Sequence, residues 1–227
     1  MSSRKFAEDT YREGTDYQFE QEELALGPWT SYSLVHDPKH MAFVLARYKF
    51  VAKMLDGKEN VFEIGSGDGF GLPIVAQHVG RLHCIDWDRR LLEGNKRRLA
   101  HLTNVSYLHL DLNKTRPNIK ADAIYSIDVI EHLDPEHEDM FVENMIECLT
   151  SNGILITGTP NITANQYASE RSRVQHINLK GIKELRALMD RYFENVFMFG
   201  MNDEILHTGY APMCHYIWSI AAGKKVR

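Results

Sequence analysis

The stretch Val61-Phe62-Glu63-Ile64-Gly65-Ser66-Gly67-Asp68-Gly69-Phe70-Gly71 constrains this chain more than any other. A short apolar run carrying one acid is followed by glycine at every second position, and a helical pattern opens at Leu72-Pro73-Ile74-Val75-Ala76. The pattern predicts strand, tight turn, helix. Glycines at 65, 67 and 69 let the backbone take positive φ and approach a ligand closely, and the helix start presents unpaired N–H groups. The predicted turn is shaped to hold a cofactor. A dinucleotide-binding run, G-x-G-x-x-G, begins in the same way and would bring a pyrophosphate, and an ordinary Gly-rich turn is the plainer alternative.

The downstream sequence narrows the choice. Short apolar runs at Arg81–Asp86, Val105–Leu110, Ala121–Asp128 and Ile154–Asn161 read as strands, separated by helical patterns. Such alternation calls for a parallel, doubly wound sheet with its ligand at the strands' C-terminal ends. Asp86, Asp111 and Asp128 all fall at such ends. An acid roughly twenty positions beyond the glycines can accept both hydroxyls of a ribose, which describes Asp86. Asp88 reads as the N-cap of the next helix, whose Arg89, Arg90, Lys96, Arg97 and Arg98 are expected to form a solvated face. Upstream, apolar spacing predicts a helix over 41–55 with Arg47, Tyr48 and Lys49 turned toward solvent. Two late apolar runs, 193–199 and 213–220, read as closing strands around a loop holding Asp203, Glu204, His207 and Tyr210. Lys224, Lys225 and Arg227 are expected to form a frayed tail.

The spacing Glu-x-Gly-x-Gly-x-Gly, with a carboxylate two residues before the first glycine, resembles the first motif of class I S-adenosylmethionine (SAM) dependent methyltransferases. The resemblance is dense over 60–161 and holds in outline elsewhere. It implies an α/β, Rossmann-like fold: a seven-stranded, mostly parallel sheet with an antiparallel final strand and an N-terminal helical lid. Residues 1–57 would then be an arm, lid segment and helix packed on the core, and 58–227 the SAM-binding domain. Gly65, Ser66, Gly67 and Gly69 would lie beneath the methionine part of SAM, with Glu63 near its ammonium group. Asp86 would hold the ribose and Trp87 pack on the adenine, while Asp111, with Leu112 beside it, would meet the adenine amino group. Asp128 would stand near the cofactor. Trp29, Tyr32, His36 and His40 become lid candidates.

The run from Asp128 through Glu131-His132-Leu133-Asp134-Pro135 resembles the family's fourth motif, beside the transferable methyl group. Histidine titrates near neutral pH, so His132 and His176 are the candidate bases; the alternative is that His132 only packs or caps its loop. The spacing Asp128-x-x-Glu131-His132 also resembles a metal-binding run of ubiquinone-pathway and small-RNA 2′-O-methyltransferases. There the first acid is usually Glu, and Asp128 is also wanted by the cofactor, so no metal ligand is assigned and a divalent ion remains an option for magnesium or manganese chemistry.

With 227 residues and a net charge of −5, the chain has no global footprint for nucleic acid. It has no apolar run long enough to cross a bilayer and no signal-peptide core, so a cytoplasmic location is expected. Cys84, Cys148 and Cys214 are odd in number and set in apolar contexts, which reads as buried thiols. The N-terminal run through Trp29 to Leu55 loosely resembles methyltransferases of bacterial surface-polysaccharide and other glycan pathways. The expected acceptor is therefore a small hydroxylated or phosphorylated molecule, methylated on oxygen. A quinone-type phenol, an RNA 2′-hydroxyl and a non-catalytic SAM-binding role are the alternatives. The pattern sets no oligomeric state.

Overall fold

The computed structural model describes residues 10–12, 14–15 and 23–225; Tyr17, Phe19 and most of the expected N-terminal arm lie outside them. Two helices over residues 28–54 lead into the sheet. Helix α1 (Pro28–His36) and helix α2 (Pro38–Met54) each carry proline in the first turn, where its missing N–H costs no hydrogen bond. Pro38 also forbids one continuous helix, because the residue before proline is pushed out of the helical region. Asp37 accordingly sits at φ −150° between them.

Strands β1 (Asn60–Ile64), β2 (Arg81–Asp86), β3 (Val105–His109), β4 (Ala121–Ile127) and β5 (Leu149–Pro160) are parallel neighbours. They are joined by α3 (Leu72–Ala76), α4 (Arg89–Arg98) and α5 (Glu138–Cys148). A short α6 (Glu170–Gln175) and α7 (Ile182–Asp190) then lead to β6 (Phe193–Asn202), β7 (Ile205–His207) and β8 (Tyr216–Lys224). The sheet order is β3-β2-β1-β4-β5-β8-β6-β7. The order reverses beside β1, so the ends of β1 and β4 diverge there and open the crevice in which such sheets hold ligands.

Eight strands stand where seven were expected. The extra one is β7, built from the anticipated 200–212 loop, which doubles back at Asp203 with φ 51° and pairs antiparallel with β6; aspartate is among the few residues that take this conformation readily. The final strand β8 is antiparallel, inserted between β5 and β6.

Apolar layers cover both faces. On one, Phe141, Val142 and Met145 of α5 and Leu185 and Met189 of α7 pack on Phe62, Ile124 and Leu155. On the other, Val51 of α2, Leu72 and Val75 of α3 and Leu92 of α4 pack on Val61, Tyr125 and Trp218. The three cysteines are free and buried. No helix among the described residues is long and apolar enough to cross a membrane.

Two expectations need correction. Arg47 and Tyr48 are buried in α2, only Lys49 of that trio being exposed. The helix has a polar partner within the fold, which spacing on the helix alone cannot reveal. The C-terminal lysines are not frayed either: Lys224 donates to the Ile146 carbonyl and pairs with Glu147, and Lys225 donates to the Asp190 carbonyl. Carbonyls at helix C-termini attract cations. Arg227 lies outside the described residues.

Candidate active site

The glycine turn folds as the sequence predicts. Gly65, Gly67 and Gly69 have φ of 78°, 51° and 77°, a region that L-residues with a Cβ resist. Asp86 fixes this turn: its carboxylate accepts from the Gly67 N–H at 3.0 Å and the Asp88 N–H at 2.9 Å. Burial raises the Asp86 pKa, and these N–H donors oppose the rise. Asp88 caps α4 by accepting from Arg90 N, as expected.

From the other side α4 clamps the carbonyls of the turn. Asn95 Nδ2 donates to Gly67 O at 2.8 Å, and Arg98 donates to Asp68 O at 2.9 Å and to Asn95 Oδ1 at 2.7 Å. Arg98 therefore departs from the solvated face assigned to it. A signal was available for Asn95: it is the polar member of the buried stripe Leu92-Asn95-Leu99, and a buried amide needs partners.

Asp68, in the turn itself, reaches toward the lid. Its carboxylate accepts from Thr30 N at 2.7 Å and from Thr30 Oγ1 at 3.1 Å. Gly27 at the start of α1 packs so close to Asp68 that an added Cβ would stand 2.4 Å from its Oδ2. Trp29 lies on Gly67, its ring 2.8 Å from where a Cβ would be. Thus α1 rests on the cofactor turn.

Beneath the turn Glu63 is 1 % exposed. Burial pushes its carboxyl up to about 8, although the phenols of Tyr48 and Tyr125 and the Cys84 thiol, 3.9 Å away, favour the charged form. Asp128 closes the far side at φ 55°. Its Oδ2 accepts from Arg47 Nη1 at 2.6 Å, and the guanidinium lies 3.8 Å above the Tyr216 ring. Among the described residues Ser66 Oγ, Asp128 Oδ1 and Arg47 Nε are buried without partners. Unpaired polar atoms beside a left-handed glycine turn are a fit for a polar ligand. Together α1, α2, the turn and Asp128 enclose a cavity of about 210 Å³.

Of the predicted cofactor residues, Gly65, Ser66, Gly67 and Asp128 line that cavity, and the others fall outside its lining, as do His132 and His176. Trp87 is largely exposed at the rim. Asp111 pairs with Lys114 at 3.0 Å, and Leu112 is buried in the core, its carbonyl accepting from Asn144. His132 and His176 stack edge to face with centroids 5.0 Å apart. The Nδ1 of His132 meets the Gln175 carbonyl at 3.0 Å, and its Nε2 stands 4.0 Å from Glu131 Oε1. Glu131 is fully buried, held by Thr159 Oγ1 at 3.0 Å. Burial first, then the Asp128 charge, raises its pKa. Burial, with His132 opposite, lowers the pKa of His176. Sequence reasoning missed Thr30, Asp68, Arg47 and Arg98 as parts of this site.

Comparison with known proteins places the arrangement. A methyltransferase domain family matches residues 62–155. A protein of Mycobacterium tuberculosis (strain ATCC 25618 / H37Rv), named as a probable S-adenosylmethionine-dependent methyltransferase, is 26 % identical over 148 residues, 63 % of this chain and 51 % of its own length. One of Mycolicibacterium smegmatis with the same designation is 27 % identical over 115 residues, covering 50 % of this chain and 42 % of itself. The chain spans about half the length of the curated relatives it matches.

Among solved structures, the methyltransferase domain of bacterial CtHen1-C superposes with a TM-score of 0.67 at 20 % identity, over 79 % of this chain and 98 % of that one. The N-methyltransferase NodS from Bradyrhizobium japonicum, bound to S-adenosylhomocysteine (SAH), superposes with a TM-score of 0.62 at 16 % identity, over 93 % and 97 %. These likenesses speak for the fold. Residues 62–155 thus match a methyltransferase domain, and the chain has the fold of the class I SAM-dependent methyltransferases.

Proposed function

We propose that this chain is a SAM-dependent O-methyltransferase acting on a small hydroxylated or phosphorylated acceptor, such as a nucleotide-linked sugar of surface-glycan biosynthesis. The observation that carries the reading is the covered cavity: α1 and α2 close over the glycine turn and leave about 210 Å³ beside Asp128. Gly65, Ser66, Gly67 and Gly69 would hold the methionine part of SAM, and Asp86 with Trp87 and Asp111 the adenosine part. When bound, SAM supplies an electrophilic methyl on a sulfonium. The chain's own residues bind and align the partners and exclude water, and a positioned base removes the acceptor's proton.

Incubation with methyl-labelled SAM and a bacterial extract, followed by separation of small molecules, RNA and protein, tests this. Label is expected in the small-molecule fraction, on oxygen by mass spectrometry of the product. Label in RNA or protein overturns the acceptor assignment, and label on nitrogen overturns the methylated atom. Absence of both label and SAH release refutes an enzymatic role in favour of SAM binding alone.

A second reading rests on one cluster. The ligand atoms of Glu131, His132 and His176 lie within 4.8 Å of one another. One carboxylate and two imidazoles suit a divalent transition ion. The Gln175 carbonyl holds His132 Nδ1, which leaves Nε2 facing Glu131, and such a second partner orients a ligating histidine. Asp128 is engaged by Arg47 and stands apart from this trio. Equilibrium dialysis with Mn²⁺ should give one site in the wild type and none in His176→Ala; no Mn²⁺ bound by the wild type removes the reading.

A further inference from the structure

The cavity against the glycine turn contains neither His132 nor His176, but it does contain His40. This residue stands in the first turn of α2, so the helix start brings it to the cavity that Gly65–Asp68 also line. From the geometry, and resting on the methyl-transfer reading above, we propose that His40 is the catalytic base that takes the acceptor's proton.

Three observations converge. First, position: His40 and Asp128 line the same cavity, on the lid side and the sheet side respectively. The His40 imidazole carries the one titratable nitrogen of that lining. Second, availability: among the described residues nothing bonds a ring nitrogen of His40, whereas His132 Nδ1 is taken by the Gln175 carbonyl. The His40 ring is steadied by packing instead, edge-on to Phe43 at 6.1 Å, and Phe43 in turn meets His215 at 6.0 Å. A ring fixed by apolar contact keeps its lone pair for the reaction.

Third, charge state. Burial, then the Arg47 guanidinium, lower the His40 pKa, while Asp128 and Asp37 pull the other way without prevailing. His215, packed against the same side and itself lowered by burial and by Arg47, adds no fixed positive charge near neutral pH. His40 is therefore a neutral imidazole at the pH of reaction, the form a base requires.

The step balances within these groups. The acceptor's X–H bond breaks heterolytically and its proton passes to His40. The electron pair left on X forms the new bond to the methyl carbon, and the carbon–sulfur pair stays on sulfur, leaving neutral SAH. The imidazolium then returns its proton to water.

The test has a structural and a catalytic arm. In ligand-free protein labelled at histidine ¹³Cε1, with the His40 signal assigned by its loss in His40→Gln, the ring should titrate below pH 6.5. Titration above pH 7 overturns the proposal. In the labelled-SAM assay on the small-molecule extract, His40→Ala and His40→Gln should each lower turnover roughly 100-fold, the usual scale of general-base loss. Their SAH dissociation constants should stay within about threefold of wild type, since the base need not bind the cofactor. Added imidazole should restore at least a tenth of the lost rate in His40→Ala, a rescue that a packing role would not give. Wild-type turnover by His40→Gln, or a slow His40→Ala that imidazole leaves unchanged, refutes the inference alone. A wild-type protein that transfers no label refutes the methyl-transfer reading beneath it.

Discussion

Thr30 is the one buried residue of the nine in α1, so the grip of α1 on the glycine turn is concentrated in its contacts with Asp68. Thr30→Val keeps the β-branched shape and the N–H bond of 2.7 Å to Asp68 Oδ2, and deletes only the hydroxyl bond of 3.1 Å to Oδ1. Asp68 is 7 % exposed, so its freed oxygen gains little water. A hydrogen bond to a charged group contributes about 1.5–3 kcal/mol. Because α1 can lift locally and let water in, the lower end applies, roughly 1.5 kcal/mol, close to a factor of ten in the opening equilibrium. Hydrogen exchange read by mass spectrometry should therefore show amides of 31–36 exchanging about tenfold faster, with β4 amides unchanged. Asp68→Ala, which removes both bonds, should accelerate α1 exchange about a hundredfold on the same reasoning. Unchanged α1 exchange in Thr30→Val, or equal acceleration in β4, would refute the idea that this contact holds the lid.

Two further perturbations probe the floor of the site. Arg47 and Asp128 form a 2.6 Å pair whose side chains are 6 % and 35 % exposed, so the two halves are not equivalent. Asp128→Asn tolerates the left-handed backbone but strands a buried guanidinium, costing about 3 kcal/mol; Arg47→Met leaves a carboxylate that partly reaches water, costing about 1–2 kcal/mol. Urea unfolding that ranks them the other way contradicts the burial argument. Glu63 gives a pH signature: its folded pKa is about 8 against 4.5 when free. The unfolded chain thus releases this proton first. The stability Glu63 contributes is complete below pH 4.5 and lost as pH rises through 8. Buried Glu131 shifts in the same direction. The urea midpoint of the wild type should fall between pH 5 and 8, and Glu63→Gln should flatten part of that fall; an identical slope in the variant rules out a buried neutral Glu63.

The glycine turn was legible because its cause is local. Positive φ at 65, 67 and 69 follows from residue type, and strand periodicity on either side supplies the frame. Asp88 as an N-cap was legible for the same reason. The clamp by Asn95 and Arg98, and the pair between Arg47 and Asp128, join residues far apart in the chain. A helical wheel shows which face of α2 is apolar but not that a guanidinium will be taken in at its edge, because the compensating carboxylate lies 81 residues away. The histidines divide in the same way. His132 is marked by its motif, whereas His40 is marked only by where α2 begins, and that is set by Pro38.

This contrast orders the two halves of the site. The turn side is built from strand ends and one turn, fixed by glycine geometry and by Asp86, whose carboxylate accepts from two backbone N–H groups. The helical side is tied to it through two acid side chains, Asp68 accepting from Thr30 and Asp128 from Arg47. Both of those acids follow strands of the sheet, one in the glycine turn after β1 and one just past β4. The two helices are thus anchored through different acids. Thr30→Val should therefore free α1 while leaving the anchorage of α2 intact, and Arg47→Met should do the reverse; hydrogen exchange of both helices in each variant separates the two latches, and joint opening in both variants shows that they are one.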